Sequence, residues 1–238
     1  MRGLKRKVLF KQKRSSMTRR RYLWAYTFML PQIIVFICLS IYPIIMSYVY
    51  SFFDWDGLGP LNDFVGFTNY KELFKTTAFW NAFGNSVIYA LGFTVISVGA
   101  GFILALVLNE PAFKGTVFYR TLYFLPVVTT TAIVGIIMHN MFGTQGFVNQ
   151  LLHTFHLIDK PISWLLSPTL AMLLLIFVGS WKHTGITMIY WLTGLQMIPR
   201  DLYEAAQIDG AGYWKTLRYI TIPLLVPVGV TILLLTLT

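Results

Sequence analysis

From Tyr22 to Phe53 the chain carries no charged side chain. About 20 apolar residues are enough to cross the hydrocarbon core of a bilayer as a helix, so this stretch alone points to an integral membrane protein. Its first span is expected over roughly Leu23 to Phe52. Pro31 and Pro43 lie inside it, so it should be kinked or broken rather than straight. Four further segments of crossing character follow: roughly Phe83 to Leu108, Leu122 to Phe142, Leu170 to Leu192, and from Ile222 to the last residue, Thr238. Only 12% of the 238 residues are charged while 56% are hydrophobic. A soluble domain carries about a quarter charged residues, so a soluble enzyme, a disordered chain and a fibrous repeat are all excluded. The expected fold is an all-α polytopic membrane helix bundle. The last segment has at most 17 residues and no flanking charge, so the bundle is expected to be truncated in that span.

The formal net charge of +10 is concentrated at one end. Arg2, Lys5, Arg6, Lys7, Lys11, Lys13, Arg14, Arg19, Arg20 and Arg21 supply ten cations without one acid, and the rest of the chain is neutral. Such a tail sets topology beside anionic lipid and does not indicate nucleic acid. With the tail in the cytoplasm, fifteen Lys/Arg fall inside and three (Lys71, Lys75 and Lys160) outside, with Lys182 within a span. The apolar run after the tail is too long for a signal peptide and lacks a small-x-small cleavage site, so it is read as a retained helix. The outer loops are then 54–82 and 143–169. Asn69 to Phe74 in the first reads as a short interfacial helix. Tyr22, Trp24, Trp55, Trp80 and Trp164 lie near span ends as an aromatic belt. The chain divides into a basic tail (1–21), a first helix with its outer loop (22–82) and a core (83–238) containing a cytoplasmic loop (194–221).

That loop carries most of the functional information. Pro199 suits the first turn of a helix, and Asp201 and Glu204 sit near its positive end. Ala205 and Ala206 are small enough for another surface to approach closely, and Asp209-Gly210 is a stop-and-turn signal. A second helical run from Tyr213 to Ile220 leads to Pro223 at the membrane. The product is a short helix held off the membrane, a tight turn and a returning helix, a shape suited to docking a partner or to an ordinary structured loop. Glu204-Ala205-Ala206, Gly210 and Ile222-Pro223, with the flanks Gly194-Leu195-Gln196 and Tyr203 to Ala211, closely resemble the coupling loop of permease subunits in binding-protein-dependent ABC importers, in the maltose-type branch. Phe64 to Tyr70, Phe79 to Ser86, Arg120 to Pro126 and Ile162 to Leu165 resemble the same family, so the resemblance runs from about residue 22 to the end.

The resemblance implies the type I ABC importer permease fold in a bacterial cytoplasmic (inner) membrane, with the N-terminus inside. It implies import of a mono- or oligosaccharide or a glycerol phosphate. The implied partners are a second homologous permease, two ATPase subunits and an extracytoplasmic sugar-binding protein. ATP and Mg would be bound by the ATPases, with no cofactor in this chain. Glu204 would pair with a cationic or polar group of the ATPase, Ala205 and Ala206 would give close contact, and Asp209 and Gly210 would form the turn.

Polar groups inside spans are costly in lipid and usually face a cavity. Asn140, Trp181, Lys182, His183 and Tyr190 are therefore candidates for the substrate pathway, with interhelical packing as the competing reading. Thr129, Thr130, Thr131 and His139 are weaker ones. The chain has no P-loop, because Lys215-Thr216 follows Trp214 and not glycine. Gly210-Ala211-Gly212 lacks the third glycine of a dinucleotide fingerprint. The single cysteine, Cys38, excludes an internal disulfide, and His139, His153, His156 and His183 show no metal-ligand spacing. A secondary transporter would want a carboxylate within a span, and none of the nine acids lies well inside one. A truncated, non-transporting membrane subunit is the remaining alternative.

Overall fold

The computed structural model describes residues 20–110 and 113–237. The cations from Arg2 to Arg19 lie outside the described residues. The chain forms two compact units, 1–80 and 81–238. In order, the helices are α1 (Arg20–Tyr50), α2 (Thr68–Lys75), α3 (Thr77–Asn109), α4 (Thr116–Val128), α5 (Thr131–Phe142), α6 (Phe147–Thr154), α7 (Pro168–Gln196), α8 (Arg200–Ile208) and α9 (Tyr213–Leu237). Among the described residues, α1, α3, α7 and α9 are long and apolar enough to cross a membrane, and α4 with the helical stretch after it makes a bent pair that supplies up to a fifth crossing.

In the first unit, α1 is not broken. It continues through Pro31 and takes a π-helical turn over Ile37–Ile41, where Tyr42 N–H donates to Ile37 O. Pro43 follows that turn. Its ring would clash with the carbonyl four residues back in a regular helix, and the wider turn relieves the crowding. Of the two expected outcomes, a kink or a break, the break is absent. Beyond α1 the loop is closed by the residues around Asn69. Asn69 Nδ2 donates to Ser51 O at 3.1 Å and Phe53 O at 3.0 Å. Tyr70 OH and Ser51 Oγ share a 2.6 Å hydrogen bond, Phe52 meets Phe67 edge-on, and Phe53 pairs with Phe64 in an antiparallel bridge. Phe64 to Tyr70 is thus a clasp on the end of α1.

In the second unit α7 is central. Towards α3, Thr187 Oγ1 donates to Ser97 O at 2.8 Å, Ser180 Oγ to Phe93 O at 3.3 Å and Trp191 Nε1 to Val98 O at 3.1 Å. Gly101 of α3 lies directly on Thr187 and Met188, with no room for a Cβ. Towards α4, Gly185 faces the Tyr123 carbonyl and Phe124. Towards α9, Gly194 meets Leu225 and Val228, and Gly229 meets the Trp191 ring. Lipid supplies no hydrophobic drive between helices, so close approach at small residues and interhelical hydrogen bonds hold them together. The core consists of Ala105, Leu108, Met188, Trp191, Leu192, Leu195, Ile198, Leu225 and Ile232.

Two span expectations need correction. A single helix from Leu122 to Phe142 fails at Thr129 and Thr130, both extended (ψ 134° and 142°), and the two helical stretches diverge by 95°. Pro126 removes a donor from the last turn of α4. The three successive threonines are β-branched, and Thr129 Oγ1 turns back to Leu125 O at 3.1 Å. The last span is not short: Tyr213 to Ile220, expected as a separate helix, runs on into it, and α9 has 25 residues.

The Gly101 contact generates a test. Gly101→Leu should destabilise the detergent-solubilised protein by about 1–3 kcal/mol or more through overpacking. Gly99→Ala, where a Cβ meets nothing within 4 Å, should leave the thermal unfolding midpoint unchanged.

Candidate coupling site

The candidate segment hangs between two buried helix ends. α7 ends at Gln196, Ile198 is buried in the core cluster, and Pro199 (φ −59°, ψ 134°) turns the chain before α8 begins. Proline's preset φ and missing N–H suit that position. Asp201 lies in the first turn, where the helix dipole favours an acid. α8 touches inward through Tyr203, which packs against the core, and Ala206, which is 6% exposed. Behind it a cleft of about 790 Å³ opens towards the ends of α3 and α7 and the start of α9, lined by Asn109, Glu110, Gln196, Arg200, Gln207 and Tyr213 among others.

The outer face of α8 is formed by Asp201, Glu204, Ala205 and Ile208, all exposed. These positions fall at i, i+3, i+4 and i+7, one stripe of a helix. Ile208 is 87% exposed, and Glu204 makes no hydrogen bond or ion pair among the described residues. The stripe offers two carboxylates, a methyl group that does not obstruct contact, and an aliphatic side chain. The two alanines therefore differ: Ala205 faces out and Ala206 faces in.

The helix stops on a defined motif. Ala211 N–H donates to Ala206 O at 2.9 Å and Gly210 N–H to Gln207 O at 3.1 Å, around Gly210 at φ +72°. This is the Schellman arrangement, in which a left-handed residue satisfies the last helical carbonyls. Asp209 is the C-cap. α9 then starts at Tyr213, and Tyr203 OH shares a 3.2 Å hydrogen bond with Thr221.

The pathway candidates do not converge in the same way. Lys182 and His183 are half-buried on α7, and the His183 ring lies 5.2 Å from Phe93, which stacks on Tyr89. Trp181 and Tyr190 are nine positions apart on α7, half a turn around the axis. Asn140 is exposed near the end of α5, on another element. All nine acids fall outside the four long apolar helices and the bent pair.

A residue that sequence reasoning passed over organises the loop between α5 and α7. Asn149 is 4% exposed. Its Nδ2 donates to Gly143 O, Thr144 O and Ile162 O, and its Oδ1 accepts from Ile162 N–H and Trp164 Nε1. The Trp164 indole N–H belongs to this network. In the sequence Asn149 stands beside Gln150 in an amphipathic run, and nothing there marks it as buried.

The sequence profile described as "Binding-protein-dependent transport system inner membrane component" matches residues 97–238. The lactose transport system permease protein LacF of Rhizobium radiobacter is 36% identical over 215 residues, 90% of this chain and 72% of LacF. The arabinooligosaccharides transport system permease protein AraP of Bacillus subtilis (strain 168) is 34% identical over 211 residues, 87% of this chain and 66% of AraP. A crystal structure of a bacterial alginate ABC transporter, in complex with an alginate pentasaccharide-bound periplasmic protein, contains a chain of similar fold. It aligns with a TM-score of 0.79 at 26% identity over 91% of this chain and 72% of that chain.

The turn after α8 can be tested directly. Gly210→Ala should cost about 1–2 kcal/mol of local stability, because an L side chain is strained in the left-handed region. Gly212→Ala, at φ −74° with open space around it, should cost nothing measurable. Amide exchange over 200–212 should speed up only in the first variant.

Proposed function

Because the chain belongs to the family of binding-protein-dependent transport system inner membrane components, we propose that it is the permease subunit of an ATP-driven carbohydrate importer. It passes a mono- or oligosaccharide, or a glycerol phosphate as in the maltose-type branch, from an extracytoplasmic binding protein into the cytoplasm. A second homologous permease completes the pathway. Two ATPase subunits bind ATP and Mg, and this chain performs no hydrolysis. The N-terminus and α8 lie on the cytoplasmic side of the inner membrane, in keeping with the distribution of Lys and Arg. The sugar class is supported by the names of the relatives, which handle lactose and arabinooligosaccharides, and by the alginate transporter.

The observation that carries this reading is the exposed stripe of α8. Glu204 meets a cationic or polar group of the ATPase, Ala205 permits close approach, Ile208 enters an apolar recess, and Asp209-Gly210 sets the end of the helix. An exposed ion pair contributes only about 0–1 kcal/mol, so Glu204 mainly fixes the docking geometry. Driving a two-state transporter from 1:99 to 99:1 takes about 5.5 kcal/mol. ATP and the loaded binding protein supply that difference and the permease relays it. Asn140, Trp181, Lys182, His183 and Tyr190 remain pathway candidates, and Lys182 and His183, beside Phe93 and Tyr89, are the favoured pair.

Isolation of the tagged chain from its native membrane in mild detergent, with mass spectrometry of what is retained, tests the assignment. A P-loop ATPase and a second permease should co-purify. Glu204→Lys should reduce the retained ATPase about tenfold or more, since a misplaced charge at an interface costs several kcal/mol, while the second permease is kept. Recovery of the chain without either partner would refute the proposal.

A further inference from the structure

α9 carries a π-helical turn at Leu217–Thr221, with Ile222 N–H donating to Leu217 O. Pro223 stands two residues after it, as Pro43 stands two residues after the π-turn of α1. The wide turn and the absent proline donor leave few regular backbone bonds at this point, so the helix bends there more readily than elsewhere. On one side of the turn, Tyr213, Trp214 and Lys215 are exposed. On the other, Leu225 is 2% exposed and belongs to the core cluster, against Gly194 of α7. The π-turn therefore marks the boundary between a part of α9 that is free of the core and a part locked into it.

A second tie joins α8 to this boundary. Thr221, the last residue of the π-turn, is 4% exposed. Its Oγ1 donates weakly to Thr216 O at 3.5 Å, which leaves a lone pair for Tyr203 OH at 3.2 Å. Tyr203 stands on the inner face of α8, one residue before Glu204. The helix is thus held to α9 at two points: covalently through the Gly210 turn, and by the Tyr203–Thr221 bond eighteen residues apart in sequence.

We propose that Tyr203 and Thr221 are positioning residues of the coupling step. Their hydrogen bond latches α8 to the π-turn, so that 200–221 moves as one body and pivots at Pro223 against the core-locked part of α9. This rests on the importer reading above. Without the latch, α8 still docks through its outer stripe. Its displacement is then absorbed at the Gly210–Gly212 turn and does not reach the span.

The test uses the complete transporter, with its second permease, ATPases and binding protein, in proteoliposomes, and measures ATP hydrolysis and sugar uptake in the same sample. Tyr203→Phe and Thr221→Val should each lower the sugar imported per ATP hydrolysed by about threefold or more, the loss expected of one neutral hydrogen bond. Hydrolysis should stay within about twofold and the ATPases should be retained. Thr221→Ser should restore the ratio, and the double variant should be no worse than the worse single one. An unchanged ratio in both single variants, or additive losses in the double variant, would overturn the latch. If Thr221→Val fails to assemble, Tyr203→Phe and Thr221→Ser decide the matter alone. A wild-type assembly that hydrolyses ATP without importing any sugar would instead overturn the importer reading, and the latch with it.

Discussion

The core of this molecule depends on how closely three neighbours can approach α7. Gly185 admits the backbone of α4, Gly194 the side chains of α9, and Thr187 fits against Gly101 of α3. In lipid no hydrophobic force favours one helix contact over another, so these small-residue sites and the bonds at Ser180, Thr187 and Trp191 decide which helices meet. The consequence reaches the functional end. α7 runs unbroken to Gln196 and Ile198 is buried directly after it, so the start of α8 is referred to the packed core.

Proline has three outcomes in this chain, set by what surrounds it. Pro31 is absorbed within α1. Pro43 and Pro223 are each preceded by a π-turn, which gives the crowded carbonyl room and keeps the helix continuous. Pro126 stands in the last turn of α4, where Thr129 Oγ1 bonds back to Leu125 O, and a 95° bend follows. The loss of a donor is common to all of them. The difference lies in whether the neighbouring backbone can widen into a π-turn or is drawn into extended geometry by side-chain competition.

The shape of α8 and its flanking turns has local causes. Pro199 starts the helix, Gly210 stops it, and each acts through its own backbone geometry. These features were legible in the residue order because they need no long-range partner. Which alanine faces outward was not legible, since only the contact of Tyr203 and Ala206 with the bundle selects the inner face. Asn149 and Trp191 escaped for the same reason. An asparagine and an indole look alike in sequence whether they bond distant carbonyls or water.

From its sequence alone this protein is a set of apolar spans with a basic head, an uneven distribution of charge, and one loop whose proline, acids, alanines and glycine prescribe a short capped helix. All of these follow from single-residue energies in lipid and from backbone preferences within one turn. Tertiary structure decided which helices meet at α7, which side of α8 is free, and that Asn149 closes the loop between α5 and α7. Those outcomes depend on hydrogen bonds and contacts between residues as much as 93 positions apart, and no local preference encodes them.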